Sequence, residues 1–161
     1  LVRMGYGHAP EHVTLWSLDD DLVIGGDQML ATISPNLGVY PTEPRADTVG
    51  DWLESCTRLA QFARPEQLIL PGHKLPYRGL PTRLRQLGDN QRAALDRVVA
   101  SLRQAPRSAV GCFEPLYRRH IGKAEFGLAL AEAVGHINHL HATGRVWHAG
   151  QSPDGAQLWG A

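Results

Sequence analysis

The stretch VTLWSLDDDLVIGGD, residues 13–27, decides how the first half of the chain folds. Residues 13–18 carry β-branched and large apolar side chains, which is typical of a strand packed on both faces. Three consecutive aspartates follow as a polar turn, and residues 22–26 have the composition of a second strand. The pattern predicts a β-hairpin that places Asp27 at the end of its second strand.

The segments that follow this hairpin alternate between loop, helix and strand patterns. Residues 31–46 are rich in Pro, Asn and Gly and predict a long ordered loop. Apolar residues at helical spacing predict a helix over 47–63. Residues 67–70 predict a short buried strand that leads almost directly into His73. The first half is therefore expected to be of the α/β class.

From Thr82 onward the pattern becomes helical. Leucines and valines recur at spacings of three or four residues, or at sums of these spacings. This pattern predicts a long amphipathic helix that begins there. Further helices are predicted over 109–119 and 124–143, and residues 145–159 have the signature of a β-hairpin. Helix, helix, helix, hairpin is the order of a winged-helix module.

Composition and charge support two modules. The chain has 161 residues, 43% hydrophobic and 20% charged, enough for one ordinary domain or two small ones with a real core. The net charge is zero, but residues 1–80 hold 6 Lys and Arg against 10 Asp and Glu, and residues 81–161 hold 10 against 6. This reversal favours two domains, 1–81 and 82–161.

Neither membrane insertion nor secretion is expected. No apolar run is long enough to span a bilayer, and the first residues lack the charged-then-apolar pattern of a signal peptide. Cys56 and Cys112 lie far apart and outside any Cys-x-x-Cys spacing, so two buried reduced thiols are favoured over a disulfide. We therefore expect a cytoplasmic protein without a membrane partner.

Three side chains that could bind a metal ion stand next to predicted strands. They are His8, Asp27 and His73. Loops at strand ends are where a rigid sheet can bring ligands together from distant parts of a sequence. Imidazole nitrogen and carboxylate oxygen are ligands that Zn²⁺ accepts, and one aspartate can bridge two cations. Each residue alone is a weak signal, and their order and context together predict a metal site.

The segments that carry these residues resemble the later metal-binding motifs of the metallo-β-lactamase superfamily. The resemblance rests on GHAPEHVTLW at 7–16, LVIGGDQ at 22–28 and LPGH at 70–73, and is closest to hydroxyacylglutathione-hydrolase-like members. ISPN at 33–36 and LPYRGL at 75–80 are similar to a bacterial branch with a C-terminal winged-helix domain. The fold implied is half of an αββα sandwich, of the α/β class, followed by a mostly α winged-helix-like domain.

The resemblance also implies roles for individual residues. His8, Asp27 and His73 are the implied metal ligands, with Asp27 as the bridging and catalytic carboxylate. His12 is implied to support the ligands without binding metal itself. The implied cofactor is zinc, two ions per complete site, with iron or manganese as alternatives. The implied activity is metal-dependent hydrolysis of a small-molecule substrate, a thioester or related acyl compound.

Three residues after the last ligand are candidates for binding the substrate. Lys74, Tyr77 and Arg78 follow His73 closely and could bind an anionic group of the substrate. They could equally well form an ordinary loop surface, and the sequence leaves both interpretations open.

The chain departs from the family pattern in one respect, because it lacks the signature His-x-His-x-Asp-His. Its only histidines two positions apart, His139 and His141, lie on a predicted helix, where they point to different faces. The resemblance therefore implies the C-terminal portion of a longer protein, nearly inactive alone, holding metal weakly and leaving one sheet face exposed. A second copy, as a homodimer, or the missing N-terminal half could complete the site.

A second hypothesis is nucleic-acid binding or RNA cleavage led by the winged helix. Residues 83–123 carry 9 Lys and Arg against 3 Asp and Glu. However, the helix predicted over 124–143, which would be the recognition helix, has no Lys or Arg, and the wing has only Arg145. A packing or dimerising role is favoured, and nucleic acid is not expected as a partner.

Two clusters in the second half have structural interpretations. His136 and His139 share a helix face and could hold a metal ion, but histidines near a helix C-terminus are favoured by the helix dipole alone. Trp147 and Trp159 are expected to form a cross-strand aromatic pair in the terminal hairpin.

Overall fold

A four-stranded sheet organises the first half of the chain in the computed structural model, which describes residues 1–161. Its strands are β1 Val2–Gly5, β2 His12–Trp16, β3 Leu22–Gly26 and β4 Leu68–Pro71. They lie in the order β1-β2-β3-β4, antiparallel except for β4, which is parallel to β3. The α/β class is thus confirmed.

Four helices and a second hairpin complete the structure. They are α1 Thr48–Ala60, α2 Leu80–Gln104, α3 Phe113–Tyr117, α4 Phe126–Ala142, β5 Trp147–Gln151 and β6 Gln157–Gly160, with 3-10 turns at Asp27–Met29 and Val110–Cys112. The chain divides into two compact units. The first unit is residues 1–36 with 50–90, and the second is residues 37–49 with 91–161.

The hairpin predicted from residues 13–27 is confirmed, with Leu15 opposite Ile24. The predicted helix over 47–63 and strand over 67–70 correspond to α1 and β4. The sequence did not predict β1. This strand pairs with β2 along its whole length, so its conformation depends on a partner that only the fold supplies.

Helix α1 is joined to the edge of the sheet by two polar contacts. The Arg58 guanidinium donates a hydrogen bond to the carbonyl of Met4 (2.9 Å). The amide of Tyr6 donates to the hydroxyl of Ser55 (2.9 Å). Both satisfy backbone groups that an edge strand would otherwise leave unpaired.

The opposite face of the sheet is apolar and open. Side chains directly opposite each other on paired strands point to the same face, and the register groups eight of them: Val2, Met4, Val13, Leu15, Leu22, Ile24, Leu68 and Leu70. Val13, Leu15 and Ile24 are 50%, 44% and 46% exposed. The expected exposed sheet face is therefore confirmed. We call these eight residues the outer sheet face.

In the second unit, α4 packs closely against the loop of residues 37–49. A Cβ atom on Gly135 would lie 2.4 Å from the carbonyl oxygen of Leu37, so only glycine allows this approach. His139 Nδ1 lies 3.0 Å from the carboxylate of Asp47. These contacts hold residues 37 and 47, at the two ends of a segment that overlaps the loop predicted over 31–46.

The three histidines of α4 have separate structural roles. His136 is fully buried, and its Nδ1 donates to the carbonyl of Glu132 (2.8 Å). His139 contacts Asp47, and His141 Nδ1 donates to a backbone carbonyl at residue 146. No group of three or more metal-capable side chains forms a metal site here. Each of the three rings therefore has a contact of its own within the protein.

The predicted pairing of Trp147 with Trp159 is wrong. Trp147 lies opposite Gly160, and Trp159 lies opposite His148, with ring centroids 4.2 Å apart. The register shifts between His148 and Gly150, and this irregularity comes from pairing that residue types alone do not encode.

The two cysteines are buried and form no disulfide, as predicted. Burial raises the pKa of the Cys112 thiol to about 11. None of the helices is both long and apolar enough to cross a membrane.

Burial of His136 predicts an acid-dependent loss of stability. Burial lowers its pKa from 6.5 to about 4. The unfolded chain therefore takes up this proton first, so the contribution is complete above pH 6.5 and is lost as pH falls towards 4. The expected loss in free energy of unfolding is up to about 3 kcal/mol. Urea titrations of the chain and of His136→Gln between pH 4 and 7 would measure it. His120→Gln, which changes an exposed histidine, is the control, and an equal pH dependence in all three proteins would contradict the prediction.

Candidate metal centre

The pairing of β3 with β4 creates the candidate centre. Parallel strands end at the same edge of a sheet, so Asp27, directly after β3, and His73, two residues after β4, emerge side by side. His8 lies in the loop between β1 and β2, which opens at this same edge because β2 is antiparallel to β3. Three distant segments of sequence therefore meet at one place.

The three side chains converge on one carboxylate oxygen. His8 Nε2 lies 3.3 Å from Asp27 Oδ2, and His73 Nε2 lies 3.4 Å from the same atom. His73 is largely exposed, whereas His8 and Asp27 are mostly enclosed. The residues that the sequence singles out as ligands are thus neighbours in the structure.

A hydrogen bond to the backbone fixes which nitrogen of the His8 ring faces Asp27. His8 Nδ1 lies 2.9 Å from the carbonyl oxygen of Asn36, and because a carbonyl only accepts, Nδ1 must carry the proton. In the neutral ring, Nε2 then presents a lone pair towards the Asp27 carboxylate. Two lone pairs at this distance repel each other unless a positive charge lies between them. Histidine ligands of metals are commonly held by such a bond from the other ring nitrogen.

His12 fixes the backbone of Asp27. The amide of Asp27 donates a hydrogen bond to His12 Nε2 (3.1 Å), so the His12 proton sits on Nδ1, which is buried without a partner. Gly26 has a φ of 51°, and a Cβ there would lie 2.5 Å from the His12 ring. Both the backbone conformation and the close approach therefore require glycine at position 26.

The other oxygen of Asp27, Oδ1, lies against Gly72, in space that a side chain at position 72 would occupy. Asp27 Oδ1 is buried and has no hydrogen-bond partner. A Cβ on Gly72 would lie 2.2 Å from it. An unpartnered buried carboxylate oxygen is costly unless a cation or a donor meets it. Together with the two histidine nitrogens, it makes a donor set that fits part of a divalent-metal site.

The donor set is incomplete. No group of three or more His, Cys, Asp or Glu side chains is arranged to hold an ion on its own. Both histidine nitrogens approach Asp27 Oδ2, which is itself a donor atom. A closed tetrahedral site needs four ligands, so His8, Asp27 and His73 leave coordination positions to be supplied from elsewhere.

The residues after His73 differ in their surroundings. Tyr77 is half-buried, its hydroxyl donates to the carbonyl of Met29 (3.2 Å), and burial raises its pKa. Arg78 donates to the carbonyl of Glu66. Lys74 is exposed and adopts a left-handed φ of 71°. Of the three, Lys74 is the one whose charge faces solvent without a protein partner, and a substrate-binding role for all three stays a prediction.

Sequence reasoning missed Gln28. This side chain is fully buried, and neither of its amide atoms has a hydrogen-bond partner. Its amide lies over Gly5, where a Cβ would be 2.5 Å from Gln28 Oε1. A glutamine beside a ligand carries no sequence signal of burial, because glutamine is usually exposed. At this site the sequence does show a glycine next to a candidate ligand, Gly26 beside Asp27 and Gly72 beside His73.

The basic residues of the second half are largely engaged within the protein. Arg97 donates to the carbonyls of residues 115 and 116, Arg119 pairs with Glu125, and Arg145 pairs with Asp96. Helix α4 carries no Lys or Arg. A nucleic-acid-binding surface is therefore not favoured.

Several known proteins are similar to this chain. Residues 95–156 match the family model of the metallo-beta-lactamase-like, C-terminal domain. The chain is 27% identical over 139 residues to the probable metallo-hydrolase YqjP of Bacillus subtilis (strain 168), covering 84% of this chain and 43% of that protein.

Two solved structures have the same fold. One is a beta-lactamase domain protein from Burkholderia ambifaria, with a TM-score of 0.89 and 36% identity over 99% of this chain and 47% of that chain. The other is a metallo-beta-lactamase family protein from Thermus thermophilus, with a TM-score of 0.82 and 25% identity over 99% of this chain and 48% of that chain. The fold is that of metallo-β-lactamase structures, and the chain spans less than half the length of these relatives.

Replacing Gly72 by Ala should disturb the candidate centre specifically. The new methyl group would overlap Asp27 Oδ1 and push the carboxylate from its position. We expect Gly72→Ala to lower divalent-metal affinity about tenfold and the free energy of unfolding by about 1–3 kcal/mol. Competition with a chromophoric chelator and urea titration would measure the two effects. Gly127→Ala, where nothing lies within 4 Å of the new methyl, is the control and should change neither adversely. Unchanged metal affinity in Gly72→Ala would show that the close approach of Gly72 to Asp27 Oδ1 does not matter for metal binding.

Proposed function

We propose that this chain, with the fold of metallo-β-lactamase structures and homologues named as metallo-hydrolases, provides part of the active site of a metal-dependent hydrolase. The observation that carries the proposal is the approach of two histidine Nε2 atoms, 3.3 and 3.4 Å away, to a single oxygen of Asp27. Imidazole nitrogen and carboxylate oxygen are donors that divalent metals accept, so a shared cation would account for this convergence.

His8, Asp27 and His73 are the proposed metal ligands. Asp27 has one oxygen near both histidines and the other free of partners, so its carboxylate is suited to bridge two cations. The chemistry that a divalent cation supplies at such a site is polarisation of the substrate and activation of water. His12 keeps Asp27 in place through the backbone amide. Zinc is the proposed metal, because nitrogen and carboxylate donors suit it.

The proposed substrates are thioesters or related acyl compounds. The support is the resemblance of the motifs at residues 7–16, 22–28 and 70–73 to hydroxyacylglutathione-hydrolase-like proteins. Lys74, next to His73 and exposed, is suited to bind an anionic group of such a substrate. The second unit, with three helices followed by a hairpin, is proposed to be a winged-helix-like domain with a packing role.

Further polypeptide is proposed to complete the site. The sequence contains no His-x-His-x-Asp-His segment, so the donor set lacks ligands that a complete site of this kind would have. The outer sheet face is also uncovered, although large apolar areas on soluble proteins usually have a partner. The chain spans less than half of the relatives whose fold it shares. One additional segment could both cover this face and supply the missing ligands.

The proposal predicts weak metal binding and negligible turnover for the chain alone. Zinc titrated against a chromophoric chelator should bind weakly, and Asp27→Asn should reduce the affinity about a hundredfold, because the variant loses the charged ligand. Asp89→Asn, an acidic residue on α2, is the matched control and should bind zinc as the unchanged chain does. No zinc-dependent hydrolysis of a generic thioester is expected.

Two results would count against these assignments. Zinc binding that is equal in the chain, Asp27→Asn and His73→Ala would remove the ligand assignment. Thioester hydrolysis that rises with zinc and disappears in His8→Ala would instead leave the ligands in place and disprove the inactivity of the isolated chain.

The outer sheet face predicts self-association when no other partner is present. Exposed Leu15 and Ile24 should draw two copies together, and Ile24→Lys should shift the chain to monomer by placing a charge in the apolar contact. Light scattering after size exclusion, over a tenfold range of concentration, would measure this. Leu75→Lys, at a residue 80% exposed in a loop, is the control. Dimers that persist in Ile24→Lys but not in Leu75→Lys would place the contact elsewhere.

A further inference from the structure

A cavity of about 930 Å³ lies within the second unit. None of the residues around it belongs to the candidate metal centre. Its size is in the range of pockets that hold one small organic molecule, about 300–1,000 Å³. The cavity is therefore large enough for a ligand of its own.

One wall of the cavity is a continuous face of α4. Leu130, Val134, Ile137 and His141 line it and follow one another at steps of four, three and four residues, which is one side of a helix. Apart from Glu132, α4 has no charged side chain. A helix that is apolar on nearly all sides is normally covered on all sides. Here the Leu130–Val134 side faces the cavity, so an apolar body would satisfy it.

The facing wall is aromatic. The rings of Trp159 and His148 lie with centroids 4.2 Å apart, and His141 meets Trp159 edge to face at 5.3 Å. His141 donates through Nδ1 to the carbonyl of Val146, so the ring is held in position. Rigid aromatic surfaces of this kind bind flat, apolar molecules by stacking and burial.

The charged residues that line the cavity favour a ligand with a carboxylate group. Arg45 lines the cavity, is exposed, and has no ion pair within the protein. The one carboxylate among the lining residues, Asp154, already accepts a hydrogen bond from the Ser152 hydroxyl (2.5 Å). A guanidinium can bind a carboxylate with two parallel hydrogen bonds. Asp154 keeps its negative charge but already has a polar partner, so Arg45 is the charged lining residue that lacks one.

We propose that this cavity binds a small organic acid with a flat apolar body. The body lies between α4 and the ring of Trp159, and the carboxylate pairs with Arg45. The site is independent of the proposed hydrolase function, because it uses no residue of the metal centre. It gives the second unit a ligand-binding role.

Two probes of equal shape and different charge test the site. 2-Naphthoate carries a carboxylate and 2-naphthylmethanol does not. In ¹⁵N–¹H spectra of the full chain, both should shift the amide signals of Val134 and Ile137 and the indole signal of Trp159 in a saturable way. Arg45→Gln should weaken naphthoate about fivefold, the effect of one partly exposed ion pair, and leave naphthylmethanol unchanged.

Two further variants complete the test. Arg103→Gln removes an exposed arginine of the same unit that does not line the cavity, and it should bind both probes normally. Val134→Phe, with its melting temperature as a check of folding, should weaken both probes by filling the cavity. The proposal is overturned if the shifts map to Val13, Leu15 and Ile24, if no saturation occurs, or if Arg45→Gln and Arg103→Gln behave alike.

Discussion

The parallel pairing of β3 with β4 is the constraint on which the candidate metal centre depends. It brings Asp27 and His73 to the same edge of the sheet although 45 residues separate them in sequence. The antiparallel pairing of β2 then places His12, at the start of that strand, beside the end of β3. A one-residue slip of β3 would turn its side chains to opposite faces and remove Asp27 from both histidines.

The same edge concentrates buried polar groups that have no partner. Asp27 Oδ1, His12 Nδ1 and both amide atoms of Gln28 are buried there without hydrogen bonds. Each such group costs about 1–3 kcal/mol relative to a satisfied one. Hydrogen bonds and packing elsewhere in the first unit must outweigh this cost. A cation can satisfy the two oxygen atoms among these groups, whereas the two nitrogen donors need acceptors such as water.

Local patterns predicted most of the first unit, and contacts distant in sequence account for the rest. The hairpin and α1 follow from alternation and helical spacing. Strand β1 could not be predicted, because its residues acquire a strand partner only through pairing with β2. For the site, motif order identified His8, Asp27 and His73, but the position of Gly72 against Asp27 Oδ1 and the burial of Gln28 depend on close approach in space. The Trp147–Trp159 pairing failed because the strand register places Trp147 opposite Gly160 and Trp159 opposite His148.

The outer sheet face and the incomplete donor set are physically connected. The loops that carry His8 and Asp27 adjoin β2 and β3, which expose Leu15 and Ile24, and His73 follows β4, which pairs with β3. Burying the outer face fixes these strands more firmly, and fixed strands hold the ligand loops at lower entropic cost. A partner that covers the face should therefore strengthen metal binding, and by thermodynamic linkage a bound metal should strengthen association with that partner by the same factor. The uncovered outer sheet face and the missing ligands are therefore linked. A partner that buries the outer sheet face also favours metal binding, and a bound metal favours that partner.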